Sequence, residues 1–580
     1  MRLLNAKTLR IEEFPSSVVP EYAILSHTWG DHEASFSEWS PRLSRLRNSK
    51  KAGFAKILST CRRARRDGLA YVWADTVCID KSSSAELSEA INSMFAWYKN
   101  AKVCYVFLED VSTHLPGQVR LLDVFQRSRW FTRGWTLQEL LAPDYILFFS
   151  REWVELGTKK GLASSISLAT GIDRLCLCKE KGLHEYSIAQ RMSWAGTRAT
   201  TREEDIAYSL LGMFNINMPL LYGEGRKAFR RLQEEITKVS DDHSIFAFNT
   251  RTSNNSLLAD HPNHFCDIGQ IEPRFESRLT PPFHFTNAGL SLTTPLIRTL
   301  SPFWVLAVLN CFEVDTSSGS RLLQIYLPLL GKDNIYMRAR DPVSLVKRPL
   351  KDAKTELQSE IQNLTTSTVS SYLVTYFTRV YPAFGAELDL VMKGFADDDV
   401  QKSGFMITFP RGMGRYRVVD AYPPAALQQD TSLFCPPFGA GDLPFSHGLI
   451  IFEEDAAGEA GASAASSPTR SSAAGKRIGV YLAQTDDFVA CHWMCRLVPS
   501  PDGDSYARCR ESWPFEADPE EWAHYDHVGH FIVAAHSQLV YTQRPRQVVL
   551  VEIVFDAQAI MQDISSATLK YDKFIEMDHA

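Results

Sequence analysis

The feature that most constrains the fold is an alternation of short apolar runs and helical segments between residues 22 and 150. Four runs are too short to be helices and are almost entirely apolar, which is typical of strands buried on both faces. They are residues 22–26, 71–75, 103–108 and 145–149. Because parallel strands need helical crossovers, and right-handed crossovers cover both faces of a sheet, the pattern predicts a doubly wound, mainly parallel α/β domain.

The segments between these runs have the signals of helices. Residues 54–61 carry apolar side chains at helical spacing, and Ser83 followed by Glu86 forms a capping box at the start of a second helix. Ligands of doubly wound sheets bind beyond the carboxyl ends of the strands. We therefore expect a site among the residues that follow those ends, namely 26–31, 75–81 and 109 onward.

The pattern changes twice along the rest of the chain. Residues 185–245 are helical and are predicted to form an extension packed on the first domain, residues 1–184. Residues 246–580 carry mostly β-type runs and are predicted to form a β-rich, sandwich-like domain. Within it, residues 455–476 consist mainly of Ala, Ser and Gly, which predicts a flexible insertion. The β-type runs are 303–309, 322–327, 372–377, 449–452, 478–482 and 548–555.

Composition excludes several classes of protein. The 580 residues include 62 Lys and Arg against 68 Asp and Glu, a net charge of −6, which argues against nucleic acid or an anionic membrane as the main partner. No apolar stretch is long enough for a membrane span, and the first residues do not form a secretion signal. The 11 cysteines are odd in number and widely spaced, so we expect reduced thiols in the cytoplasm. No metal site is predicted, because the Cys491 and Cys495 pair lacks a second pair at zinc-finger spacing.

Two groups of polar residues are candidates for chemistry near the first strands. Ser26, His27 and Trp29 lie on the loop after the first strand, where they form either a structural turn or a ligand site. Ser26 and His27 point in opposite directions on an extended backbone, so they are not predicted to act as a nucleophile and its base. Glu86 and Glu89 start the second helix, where capping and the helix dipole explain them without catalysis.

The segment 128–140 is the third candidate. If a helix begins near Gly134, Trp135 and Glu139 are neighbours on one face, and an aromatic ring beside a carboxylate suits a planar, cationic substrate. The structural alternative places Trp135 in the core and pairs Glu139 with Arg133 or Arg129. Spacing alone favours that alternative.

Several blocks together resemble the fungal heterokaryon-incompatibility (HET) domain. They are YAILSHTWGD (22–31), the stretch from YVWADTVCID to VCYVFL (71–108), SRWFTRGWTLQEL (128–140) and REEDIAYSLLGMF to RRLQEEI (202–236). The resemblance covers roughly residues 1–245. HET domains are in turn remotely similar to the TIR domains of immune signalling, which implies a TIR-like, flavodoxin-like sheet.

The TIR resemblance also implies chemistry. Many TIR domains cleave NAD at the nicotinamide–ribose bond, with a glutamate four residues after a tryptophan, which is the spacing of Trp135 and Glu139. The resemblance implies that Glu139 is the catalytic carboxylate of an NAD glycohydrolase, with ADP-ribosyl cyclase activity as a further option. Glu86 and Glu89 stay open as alternatives. NAD is then a substrate, and no cofactor is expected. The residues implied to bind the substrate are Ser26, His27, Trp29, Arg133 and Trp135.

The same resemblance implies a biological role. It predicts a cytoplasmic cell-death effector of fungal heterokaryon incompatibility and innate immunity that forms a homo-oligomer on activation. The β-rich domain is then a place for a regulatory protein partner. The alternative is a non-enzymatic TIR-like module that signals through protein–protein assembly.

Overall fold

The structure is a computed structural model that describes most of the first half of the chain and separate segments of the second. The described residues are 1–15, 17–39, 51–115, 120–249, 257–266, 269–273, 283–286, 289–299, 304–315, 321–332, 335–338, 346–350, 375–380, 404–409, 416–427, 433–434, 436, 445–454, 476–485, 493–511, 525–528, 531–536 and 548–555. The chain divides into two units. One comprises Met1–Ile245 and Leu258–Asp267, and the other comprises Phe246–Leu257 and Ile268–Ala580. The finer boundary at residue 184 stays a prediction.

A sheet of seven strands, as far as the chain is described, forms the centre of the first unit. The strands are β1 (Arg2–Asn5), β2 (Ile11–Glu13), β3 (Tyr22–His27), β4 (Tyr71–Trp73), β5 (Val103–Phe107), β6 (Ile146–Phe149) and β7 (Glu155–Thr158). Their order is β2-β1-β4-β3-β5-β6-β7. The four predicted strands are β3 to β6, and each pairs with its neighbour in the parallel sense. The predicted α/β fold is thus confirmed, while the antiparallel strands β1, β2 and β7 were not predicted.

Two helices connect the first three parallel strands. They are α2 (Ala52–Arg66) and α4 (Ser84–Asn100). Only half of the predicted capping box of α4 forms: Ser83 Oγ accepts the Glu86 amide at 3.4 Å, but the Glu86 carboxylate accepts the Asp80 amide and not that of Ser83. The crossover from β3 to β4 and the one from β4 to β5 run in opposite directions along the sheet. Right-handed crossovers therefore place α2 and α4 on opposite faces, which is the doubly wound arrangement.

The remaining helices of the first unit are short. They are α1 (Phe36–Trp39), α3 (Asp75–Cys78), α5 (Leu121–Gln126), α6 (Thr136–Leu141), α7 (Ala163–Thr170), α8 (Arg174–Leu177), α9 (Ile188–Ser193), α10 (Asp205–Tyr208), α11 (Leu211–Phe214) and α12 (Lys227–Thr237), with 3₁₀ turns at Arg129–Thr132, Leu183–Glu185, His243–Phe246 and Pro262–Phe265. The sequence predicts one helix capped by Thr201 and Glu204, but α10 and α11 are separate. Glu204 instead accepts the amides of Gly223 and Gly225 at 2.8 and 3.1 Å.

Two sheets form the second unit, and nearly all their strand pairs are antiparallel. In the described segments, one sheet has 13 strands and the other has four, ordered β17-β19-β20-β21. Buried side chains from both, such as Ile407, Phe452 and Val551, share one apolar cluster, as in a sandwich. Every predicted β-type run overlaps a strand.

The strands of the second unit are, in chain order, β8 (Gln270–Pro273), β9 (His284–Thr286), β10 (Gly289–Thr299), β11 (Trp304–Asp315), β12 (Arg321–Lys332), β13 (Ile335–Arg338), β14 (Val346–Leu350), β15 (Thr375–Val380), β16 (Gly404–Phe409), β17 (Tyr416–Tyr422), β18 (Leu433–Phe434), β19 (Phe445–Glu454), β20 (Arg477–Thr485), β21 (Trp493–Pro499), β22 (Tyr525–Val528), β23 (Phe531–His536) and β24 (Val548–Val554). A 3₁₀ turn covers Pro424–Ala426, and α13 is Ser505–Glu511. The predicted flexible insertion lies outside the described residues except for Lys476. Across the described residues, no helix is both long and apolar enough to cross a membrane.

Candidate active site

Three side chains meet at the carboxyl end of β3. The Ser26 hydroxyl donates a hydrogen bond to Oε2 of Glu139 on α6, and it accepts one from the indole Nε1 of Trp130 at 2.8 Å. All three residues are buried. A chain of two hydrogen bonds thus runs from Trp130 through Ser26 to the carboxylate and fixes the orientation of the Glu139 side chain. We call these three residues the Glu139 relay.

The backbone before α6 explains how Glu139 reaches β3. The Gly134 amide donates to the Ala199 carbonyl at 2.9 Å, and a Cβ at position 134 would lie 2.4 Å from Cγ2 of Thr200. A larger residue at position 134 would force Thr200 to move. Buried Arg198 donates from Nη1 to the Arg133 carbonyl and to the Thr136 hydroxyl, both at 2.9 Å. These contacts hold the first turn of α6 in place.

Burial dominates the electrostatics of Glu139. The residue is 6% exposed. Desolvation, together with the negative charge of Asp75, raises the pKa of its carboxyl group to about 8, against the opposing hydrogen bonds from Ser26 and Tyr98 and the charge of Arg198. Glu139 is consequently mostly protonated at neutral pH. A nearby positive charge on a ligand would favour its ionised form.

The arginines proposed to pair with Glu139 have other partners. Arg129 pairs with Glu109 at 2.8 Å, and Arg133 donates to the Thr201 hydroxyl at 3.2 Å. Trp135 is half-buried, and its indole hydrogen-bonds Asp205. The structural alternative favoured by spacing is therefore wrong about Glu139, which pairs with Ser26. Trp130, in place of Trp135, supplies the indole of the relay.

The other predicted residues lie on either side of the same strand end. Trp29 is 53% exposed, and its indole donates to Oδ2 of Asp75 at 3.0 Å. His27 points away from Ser26, as an extended backbone requires, and its Nε2 lies 3.5 Å from Oε2 of Glu33. Lys56 of α2 completes this second group with a 2.6 Å contact to Oε1 of Glu33.

An open cleft of about 660 Å³ lies on the His27 side of the strand ends. Its lining includes Glu33, Lys56, Phe107, Arg129, Arg151 and Trp153. Phe107 and Trp153 stack with ring centroids 5.1 Å apart. Glu139 and Trp29 are not among the described residues that line this cleft.

Comparison with known proteins relates part of the chain to one family. Residues 22–121 match the family described as heterokaryon incompatibility protein (HET). The chain is also 48% identical over 248 residues to the vegetative incompatibility protein HET-E-1 of Podospora anserina, an alignment that covers 41% of this chain and 18% of that protein. The first unit of the chain is thus similar to the HET domain. The chain spans less than a fifth of the length of that relative, and no solved structure matches it.

The two alternative carboxylates, Glu86 and Glu89, have surroundings separate from those of Glu139. Glu86 pairs with Arg2 at 2.5 Å and accepts the Asp80 amide at 2.9 Å, so its contacts are structural. Glu89 is exposed on α4.

Lys56, Arg151 and Asp75 are site residues that no motif in the sequence marks. Arg151 and Asp75 each follow the end of a parallel strand, so the rule for doubly wound sheets was a signal that pointed to them. Lys56 lies within α2, and no local pattern marks it.

Proposed function

We propose that the HET domain hydrolyses NAD at the nicotinamide–ribose bond and acts as a cell-death effector in heterokaryon incompatibility. The observation that carries the proposal is the Glu139 relay, a buried, oriented carboxylate at the carboxyl end of the first parallel strand. That edge is where doubly wound sheets bind nucleotides. The names of the matching family and of the Podospora relative support the biological role.

The chemistry needs one carboxylate. When the C–N bond breaks, its electron pair moves to the pyridinium nitrogen, so nicotinamide leaves as a neutral molecule without a general acid. The ribose becomes an oxocarbenium-like cation that ionised Glu139 stabilises, as carboxylates do in glycoside cleavage. Water then adds its oxygen to the anomeric carbon and gives its proton to Glu139. Substrate binding promotes the ionisation of Glu139, because the pyridinium is itself positively charged.

The order of the four parallel strands supports a TIR-like fold. Across the sheet these strands lie in the order β4-β3-β5-β6. Counted along the chain, this is second, first, third, fourth, which is the flavodoxin-like order. We further propose that the domain assembles into a homo-oligomer in the cytoplasm when activated. In this proposal the β-rich unit binds a regulatory protein partner that restrains or triggers assembly.

The burial of Glu139 favours a second candidate function. A carboxylate that is 6% exposed and hydrogen-bonded to Ser26 is also suited to a structural role, in which it joins α6 to β3. In that case the HET domain is a non-enzymatic module that signals through protein–protein assembly.

The deciding experiment measures nicotinamide release from NAD by the purified full chain, at protein concentrations that span self-association. We expect the activity of the Glu139→Gln variant to fall about a thousandfold, because the substitution removes the charge that stabilises the transition state. Glu89→Gln, at an exposed position of α4, is the matched control and should stay within about twofold of the wild type. The same chromatograms separate linear from cyclic ADP-ribose.

Two outcomes would contradict the proposal. Full activity of Glu139→Gln would remove Glu139 from catalysis. No hydrolysis by the wild-type chain, in any assembled state, would favour the signalling module.

A further inference from the structure

Trp29 combines exposure with a fixed orientation. Half of this large aromatic side chain faces solvent, although its indole N–H is held by Oδ2 of Asp75 at 3.0 Å. An exposed tryptophan that is anchored in this way loses little conformational freedom when a ligand stacks on it. Its position just after β3 places it at the same strand end as Ser26.

A cation already lies on the face of this tryptophan. The Lys81 ammonium is 3.5 Å from the centroid of the Trp29 ring and 3.4 Å from Oδ2 of Asp75. An aromatic face together with a carboxylate is the arrangement that binds organic cations. Lys81 extends from the loop between α3 and α4 and is partly exposed, so its flexible side chain can leave without disturbing either helix.

We propose that Trp29 and Asp75 form a binding subsite for a planar organic cation, and that Lys81 fills this subsite in the unliganded protein. The inference rests on the proposed function, in which the cation is the pyridinium ring of NAD. Trp29 stacks on the ring, and Asp75 supplies the opposite charge once Lys81 has moved out. Cleavage turns the ring into neutral nicotinamide, which loses its attraction to Asp75. The subsite therefore favours substrate over product.

Asp75 also connects this subsite to Glu139. The negative charge of Asp75 is one of the causes, after burial, that raise the pKa of Glu139. A cation bound at Asp75 offsets that charge and favours ionisation of Glu139. Occupancy of the subsite and ionisation of Glu139 are thereby linked.

The test is calorimetric binding of 1-methylnicotinamide, a stable pyridinium cation, and of neutral nicotinamide to the full chain. Lys81→Gln should bind the cation about three- to tenfold more tightly, because the competing ammonium is gone. Asp75→Asn should bind it about tenfold more weakly. Neither change should alter the affinity for nicotinamide by more than about twofold, since it carries no charge. Lys102→Gln, at an exposed lysine paired with Glu21 at 2.9 Å, is the matched control.

The results separate this subsite from the proposed function. Unchanged affinity for the cation in Lys81→Gln or in Asp75→Asn would overturn the subsite, as would no detectable binding by both the wild type and Lys81→Gln. Circular dichroism of each variant checks that it is folded, and Trp29→Leu gives a second route to the same loss of binding if Asp75→Asn does not fold. If the charge pattern holds but NAD is not hydrolysed, the subsite stands and the proposed function fails. If NAD is hydrolysed but the affinity for the cation does not depend on the charges of Lys81 and Asp75, only the subsite fails.

Discussion

Buried Glu139 and half-buried Glu33 lie at the same end of β3, on the Ser26 side and the His27 side respectively, and their environments shift their pKa values in opposite directions. Burial raises the pKa of both. For Glu139 burial prevails, and its pKa lies at about 8. For Glu33 the nearby His27, the charge of Lys56 and the Gly30 amide outweigh burial and hold the pKa at about 2.

The difference teaches which carboxylate is available for chemistry. Glu33 has a cationic partner 2.6 Å away, so its charge is already neutralised and its role is structural. Glu139 is bonded to a neutral hydroxyl and is close to changing its protonation state at physiological pH. Carboxyl groups whose environments separate their pKa values in this way commonly have separate roles in an active site.

The largest expected effect comes from breaking the Glu33 pair. Glu33→Gln leaves the Lys56 ammonium buried without its counter-charge, which should lower the free energy of unfolding of the first unit by about 3–5 kcal/mol. Urea denaturation at pH 7 measures this loss, with Glu89→Gln as the exposed control. A loss below about 1 kcal/mol would mean that Lys56 and Glu33 are effectively solvated.

Glu139→Gln should raise the free energy of unfolding at neutral pH, whereas Glu33→Gln lowers it. The folded pKa of about 8 lies above the ordinary value of 4.5, so the folded protein holds a proton that the unfolded chain releases. This stabilisation is complete below pH 4.5 and is lost as the pH rises through 8, at about 1.4 kcal/mol for each pH unit. Glutamine resembles the protonated form at every pH.

The stability of Glu139→Gln relative to the wild type should therefore increase by about 2–3 kcal/mol between pH 5 and pH 7. Denaturation curves of both proteins at these two pH values measure the increase. A difference between the two proteins that does not change with pH would show that Glu139 is ionised in the folded protein at both pH values.

The sequence predicted the central strands well because each is buried on both faces and hence continuously apolar. The outer strands β1, β2 and β7 are only partly buried, so their sequences lack the continuous apolar run of the central strands. The sequence also placed Ser26 at a strand end and Glu139 on a short helix, but it set Trp135 beside Glu139, where the structure brings Ser26 and Trp130 together with it. The indole of Trp135 hydrogen-bonds Asp205 of α10, a contact that spacing within the segment 128–140 does not encode.

The difference between the pKa values of Glu139 and Glu33 could not be predicted from the sequence, for a different reason. Glu33 is neutralised by Lys56, 23 residues further along the chain and on another element. The pKa of Glu139 depends on Ser26, Tyr98 and Asp75, which come from three different elements. Such environments arise from tertiary packing, and no local pattern encodes them.

The smallest expected effect comes from removing the Ser26 hydroxyl of the Glu139 relay. Ser26→Ala removes the hydroxyl that stabilises ionised Glu139, so the pKa of Glu139 should rise further and NAD hydrolysis at pH 7 should fall about tenfold, the cost of one hydrogen bond to a charged group. The pH at which kcat/KM reaches half its maximum should move upward, because a higher pKa requires a higher pH for ionisation. Ser59→Ala, on the face of α2 beside the open cleft, is the control and should keep the wild-type pH profile. A fall in activity without a shift of the profile would mean that Ser26 positions the substrate and does not set the ionisation of Glu139, and the comparison with Glu33 would then rest on burial alone.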